Sequence, residues 1–378
     1  MTKFFLVRFL KICVAGLVLS SLMACSSGSP KQSAADLGSN PGLIGVRLVW
    51  TSSIGAVEFP LEIKVKNNAA LIAGSDGTVL SLDAHTGATQ WRVNVGTGIA
   101  AGVGGDGRYV AVVTRGNELV LLEAGRELWR VRLTAQVFTS PLVAGERVFV
   151  LGGDRTLSAF DAQTGRRLWQ NQRPGEALIL RQAGVLIPVQ NTLIAGFSGR
   201  LLGINPLTGS VLWDAAIATP RGTNDIERLV DLVAGVNRQG DVVCVRAFQA
   251  AAGCVETVRG KLVWRQIASG SVGLQGDEKT VYGVESDGRV LAWRMSDGDQ
   301  VWEIDRLRYR QLSAPLVLGR SVIVGDDSGL VHLIARNDGS LAARLTTDGS
   351  PITVTPVLAD GTLVVVTRKG GVFGFAPE

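Results

Sequence analysis

Residues 139–170 read TSPLVAGERVFVLGGDRTLSAFDAQTGRRLWQ, and four short apolar or alternating runs stand out: SPLV, RVFVLG, TLSAF and RRLW. They are separated by Ala-Gly-Glu, Gly-Gly-Asp and Ala-Gln-Thr-Gly. Alternating runs of this length, rich in β-branched residues and punctuated by Gly and Asp, describe an antiparallel meander of four strands. No window of the chain sustains the 3.6-residue apolar period of an amphipathic helix. The turn before the last strand ends in Gly165 and that strand carries Trp169, and this pair is the key to the remainder of the chain.

The same Gly-x-x-x-Trp pair returns as Gly87/Trp91, Gly125/Trp129, Gly209/Trp213, Gly260/Trp264 and Gly298/Trp302, with a degenerate copy at Gly339/Ala343 and Trp50 alone upstream. From Trp50 onward the steps are 41, 38, 40, 44, 51, 38 and 41 residues. A fixed period in this range marks repeated units that bury their faces against one another. Four strands per unit is the blade of a β-propeller. Glycine supplies the turn before the fourth strand, and tryptophan offers a flat surface for packing between blades. Seven units end at residues 91, 129, 169, 213, 264, 302 and 343, and strands are expected beyond them at 353–358, 362–367 and 371–375. Pairing these with an orphan strand at 45–51 completes an eighth blade and removes the free sheet edges of an open array. The expected fold is therefore an all-β, eight-bladed propeller of four-stranded antiparallel blades over residues 43–378, its ring closed by the N-terminal strand.

The first 24 residues do not belong to that fold. Lys3, Arg8 and Lys11 precede an uncharged run over residues 12–24, too short to span a bilayer. A charged beginning, a short apolar stretch and small residues at the break describe an export signal. Leu22-Met23-Ala24-Cys25 resembles the lipobox of bacterial lipoproteins, which implies acylation of Cys25; Ser26 after it favours the outer membrane over the inner one. Plain secretion with cleavage nearby is the alternative. Residues 25–42 then read as a flexible Ser/Gly/Pro-rich tether. Removing the leader takes three of the 38 basic residues, leaving 35 against 33 acidic ones. So slight a net charge gives no reason to expect nucleic acid as a partner. Of the four cysteines, Cys244 and Cys254 lie in the propeller, flanking a hairpin with its turn near residues 249–251. A disulfide between them suits an oxidising compartment; two buried thiols are the other reading.

Catalytic parts are hard to find. The two histidines, His85 in a turn and His332 in a strand, have no Cys, Asp or Glu at ligand spacing. Residues 102–107, GVGGDG, match a dinucleotide fingerprint in letters alone, because a strand follows where a helix is required; they read as a hairpin turn. The carboxylates at Asp76, Asp83, Asp161 and Asp287 suit turn formation. No metal, cofactor or reaction is expected.

Two connections exceed what a propeller needs: residues 172–184, QRPGEALILRQAG, and 214–236, which contain RGTNDIERLVDLVAG. Both leave a fourth strand for the first strand of the next blade, so they emerge on one face, one blade apart. Leu178, Leu180 and Arg181 in the first, and Asp225, Glu227, Arg228 and Asp231 among Ile226, Leu229, Leu232 and Val233 in the second, mix apolar anchors with charge as protein-recognition surfaces do. A third connection, 303–311, adds Arg306, Arg308, Tyr309 and Arg310 to that face.

With its lipobox, tether and eight blades, and with stretches such as DIERL, SAPLVLGRSVIVGDDSGLVH and VTPVLADGTLVVVTRKGGVFGF, the chain resembles the BamB family, lipoproteins of the outer-membrane β-barrel assembly (Bam) complex. The resemblance implies a non-enzymatic scaffold at the periplasmic face of the outer membrane, monomeric within the complex. It implies binding to the POTRA region of BamA, to other Bam lipoproteins and to unfolded outer-membrane proteins. The family's contact loops carry a Leu-x-Leu-Arg element, which falls on Leu178, Leu180 and Arg181. They also carry an acidic pair after a Glu/Asp-Arg-Leu stretch, whose first member falls on Asp231 and whose second position is Val233 here. An adaptor for another envelope machine, and a quinone-dependent dehydrogenase sharing the blade motif, are the alternative functions; for the second, an adjacent-Cys pair and calcium-binding carboxylates are not found.

Overall fold

A computed structural model describes residues 32–174, 178–220, 223–225 and 228–378. The expected leader, Cys25 and Glu227 lie outside the described residues. Among those described, all regular structure is β: eight four-stranded antiparallel sheets, each with its strands in spatial order. The blades occupy residues 64–94, 99–132, 142–172, 186–216, 232–267, 274–304 and 316–346, and the eighth joins 357–377 to 46–53. First strands of neighbouring blades lie together around the centre, and the first strand of the eighth blade meets that of the first. The ring closes through Val46–Ser53, which pairs antiparallel with Gly371–Pro377, Trp50 opposite Gly374.

The repeated pair works between blades rather than within one. A Cβ placed on Gly165 would stand 2.8 Å from the ring of Trp129 in the preceding blade. On Gly87 it would be 2.6 Å from Trp50, and on Gly260 2.6 Å from Trp213. Each tryptophan thus lies against the glycine that opens the next blade's fourth strand. Gly165 also has φ +72°, so both its backbone and its missing side chain are required. The indole N–H completes the joint: Trp50 donates to the Ala84 carbonyl (3.0 Å), Trp129 to Ala162 (2.8 Å) and Trp302 to Arg336 (2.9 Å). At the seam between the seventh and eighth blades the sizes are exchanged. Ala343 stands at the tryptophan position, and Val46 at the glycine position four residues before Trp50. Ile44 and Val46 pack against the core cluster that contains Ala343.

Three boundaries differ from expectation. The strand expected at 353–358 begins only at Val357, because Pro356 has no N–H to give the ladder. GVGGDG is not a turn throughout: Gly102 to Gly105 finish the strand Ile99–Gly105, and only the residues after them turn. These glycines lie where the inner strands crowd together; the Pro141 backbone of the next blade occupies the space of any Gly104 side chain. Finally, the compact unit begins at Ala35 rather than at residue 43.

Cys244 and Cys254 face each other across the strands Val242–Ala247 and Ala251–Glu256, with Cα atoms 3.9 Å apart, and a disulfide joins them. Both are wholly buried.

Trp129→Ala should leave a cavity against Gly165 and cost ~3–5 kcal/mol, read as a fall in the urea midpoint; an unchanged midpoint would show that the joint is dispensable. Denaturation without reductant should leave the Cys244 and Cys254 peptides unalkylated. The bond closes a loop of sequence separation 10, a constraint that stabilises by roughly 2–3 kcal/mol, so reductant should lower the same midpoint.

Candidate functional site

In each blade the connection to the next blade and the turn between its second and third strands emerge on the same face. Two neighbouring interblade connections meet there. The segment after the third blade runs through Leu178–Gly184, and that after the fourth ends at Asp231. Gly184 forms a β-bridge with Val233, and the Ala234 N–H donates to the Ala183 carbonyl at 2.7 Å. Thr139 receives the Gly184 N–H on its hydroxyl at 2.9 Å. The Leu180 N–H donates to Asp231 Oδ2 at 2.9 Å. Arg155, almost wholly buried in the turn of the third blade, reaches the Leu178 carbonyl with Nη2 at 3.4 Å. The two connections are therefore fastened to each other and to the blade beneath them.

This fastening divides the expected residues by role. Ile179 and Leu180 turn partly inward, lining a cleft with Phe138, Leu151, Phe197 and Leu232; Ile179 fills the space above Gly153. Leu178 remains 40% exposed. Arg181 is exposed and makes no hydrogen bond or ion pair among the described residues. The surface the pair offers is an apolar side chain beside a guanidinium with no partner among the described residues, on the stretch 178–184 whose backbone is held. Arg228 is half-buried in a turn closed on Asn224. Val233 is buried, within the strand Leu232–Gln239; an acid there would enter the core.

No hydrogen bond or ion pair among the described residues joins the third connection to them. Arg306 and Arg308 are exposed, and Arg308 lies over its neighbour Tyr309, 5.3 Å from the ring centroid. Arg310 turns inward to Asp326 at 3.1 Å and is not a surface residue for a partner. Arg155 and Thr139 escape a sequence reading: each sits in an ordinary turn or strand end, and only folding brings it under the connection.

Burial pushes the Asp231 carboxyl above its ordinary range; the Leu180 N–H and the Arg155 guanidinium pull it back without cancelling the shift. A raised folded value means that the native state holds this proton more tightly than the unfolded chain does. This group's contribution therefore grows as pH falls from its raised value toward about 4. Asp231→Asn keeps an acceptor for Leu180 and removes the buried charge. Denaturation at a series of pH values should show that increment in the parent and not in the variant. Asp231→Ala, lacking the acceptor, should cost ~1–3 kcal/mol and speed tryptic cleavage after Arg181.

A family model described as outer membrane protein assembly factor BamB matches residues 75–304. A protein of that name from Burkholderia pseudomallei (strain K96243) is 35% identical over 340 residues, covering 89% of each chain. The crystal structure of BamB from Moraxella catarrhalis matches with a TM-score of 0.81 at 22% identity, over 88% of this chain and 99% of that one. The fold reaches further: a quinohemoprotein alcohol dehydrogenase from Comamonas testosteroni gives 0.67 at 14% identity, over 90% of this chain and 79% of that one. That likeness is one of fold alone. Among the described residues no group of three or more His, Cys, Asp or Glu side chains is placed to hold a metal ion. On the extent of the family match and the identity to a full-length relative, the chain belongs to the outer membrane protein assembly factor BamB family.

Proposed function

We propose that this protein is a non-enzymatic scaffold of the outer-membrane β-barrel assembly machinery. It is held by lipid on Cys25 at the periplasmic face of the outer membrane, where it binds the POTRA region of BamA as a single copy and, with other Bam lipoproteins, helps unfolded outer-membrane proteins to insert. The family supports the machinery; the interface rests on geometry. The observation that carries it is the Leu180–Asp231 bond, which fixes two connections as one rigid patch and leaves Leu178 and Arg181 outside it. A held backbone lowers the entropy lost on binding, and a leucine beside an arginine can bury apolar area while pairing with a carboxylate. Glu227 and Arg228 flank the patch in sequence, and their part in it belongs to the same proposal.

Arg181→Glu combined with Leu178→Asp changes only surface groups. The loss of about 2 kcal/mol or more expected of a hot spot should abolish recovery of BamA from detergent-solubilised membranes, while circular dichroism stays unchanged. Undiminished recovery would place the interface elsewhere, and recovery of a different envelope machine without BamA would replace the proposal with an adaptor role.

A further inference from the structure

Residues 35–43 have no regular structure, yet they are fastened along their length. The Ala35 N–H donates to the Arg308 carbonyl at 2.9 Å, and the Ala35 carbonyl accepts from Arg310 Nη2 at 3.1 Å. Leu37 packs against the core cluster that holds Tyr282 and Val284, and its carbonyl accepts from Arg344 Nη2 at 2.8 Å. Asn40 pairs with the backbone of Arg344 as a strand would. Its Oδ1 accepts the Arg344 N–H and its Nδ2 donates to the Arg344 carbonyl, both at 2.9 Å. The Leu43 N–H then donates to the Ala342 carbonyl at 2.8 Å. The segment therefore runs along the outer strand of the seventh blade, Leu341–Thr346, and occupies backbone groups that would otherwise form an open edge.

Two further features give this docking weight. The strand it covers is the one outer strand with alanine in place of tryptophan, at the seam where the ring closes. And the arginine that holds Ala35 is itself immobilised. Arg310 pairs with Asp326, which is wholly buried, accepts from the Ser328 and Leu330 N–H groups, and lies 2.9 Å from His332 Nε2.

We propose that residues 35–43 are a permanent strap that covers the outer strand of the seventh blade and brings the chain at Ala35 to the rim beside Arg308. That rim is the one on which the interblade connections, the candidate docking pair included, emerge. Insofar as it concerns a membrane, the inference rests on the proposed acylation of Cys25. Ten residues then separate Cys25 from Ala35, a contour of at most ~35 Å, where the distance along the chain to residue 42 would allow ~60 Å. The partner so constrained is a lipid surface, and the constraint is a distance.

Hydrogen exchange on the full mature chain in detergent decides the strap. The Ala35 and Leu43 amides should exchange at least roughly tenfold more slowly than those of residues 26–34, as docked backbone does. Asn40→Ala, at an exposed position, and Arg344→Ala should each erase the difference; uniform fast exchange over 26–43 in the parent overturns the strap. For the exit point, a donor fluorophore on Arg308→Cys and acceptor headgroups in phosphatidylethanolamine–phosphatidylglycerol vesicles should report a separation within ~35 Å, growing when Asn40→Ala is added. A parent separation beyond that limit overturns the exit point. An N-terminal peptide mass without acyl chains would sink the anchor, and with it the distance, while leaving the exchange result to judge the strap.

Discussion

The stacking of one blade's tryptophan on the next blade's glycine is the contact on which the architecture depends. A four-stranded blade has two faces to cover and cannot cover either alone, so its stability is borrowed from its neighbours. The indole removes a large apolar area from water, and a glycine with positive φ lets it approach the backbone directly. The indole N–H, which would be costly to bury unpaired, finds a carbonyl in that same neighbouring turn at most seams. Trp213 is an exception, its buried Nε1 meeting no acceptor among the described residues. Because every joint points the same way around the ring, closure needs one donor strand from outside the run of repeats, and Val46–Ser53 with Trp50 supplies it.

Ring geometry then decides what can meet. Connections that leave a fourth strand return on one face whatever their sequence, so two long ones in succession must lie side by side. What turns adjacency into a rigid patch is local chemistry: a half-buried carboxylate on one connection facing a backbone N–H on the other, and an arginine from the blade below holding a carbonyl of that other connection. The cost of burying Asp231 is offset by the order it imposes on Leu178–Gly184.

Buried ions elsewhere serve the ring in a similar way. Arg246 and Glu285 pair at 2.8 Å between the fifth and sixth blades with almost no exposure. Burial lowers the Arg246 pKa against the opposing pull of Glu285. Glu285 also holds the Ser269 hydroxyl at 2.7 Å in the intervening connection. Such pairs are weak sources of stability but strongly disfavour any arrangement that separates them. The Arg310–Asp326–His332 group braces the ring too: its carboxylate is saturated by hydrogen bonds that hold its pKa down against the upward push of burial. Propellers of similar shape carry oxidative chemistry, so fold alone decides nothing here.

The chain by itself determined the blade count, the closing strand, the hairpin that sets Cys244 opposite Cys254, and the face on which the long connections emerge. Each follows from short-range rules: strand alternation has a period of two, turns need Gly or Asp at fixed offsets, and a meander has only one way to alternate its loops. The tertiary structure alone decided which glycine receives which tryptophan, and that Ala343 and Val46 exchange sizes at the last seam. It also decided that Arg310 turns inward while Arg181 has no partner among the described residues, that Arg155 braces Leu178, and that residues 35–43 belong to the propeller. These are contacts between residues far apart in sequence, Asn40 and Arg344 by 304 positions. A single sequence holds no local signal of them, because the energy that selects them comes from shape and desolvation at surfaces that do not exist until the ring has closed.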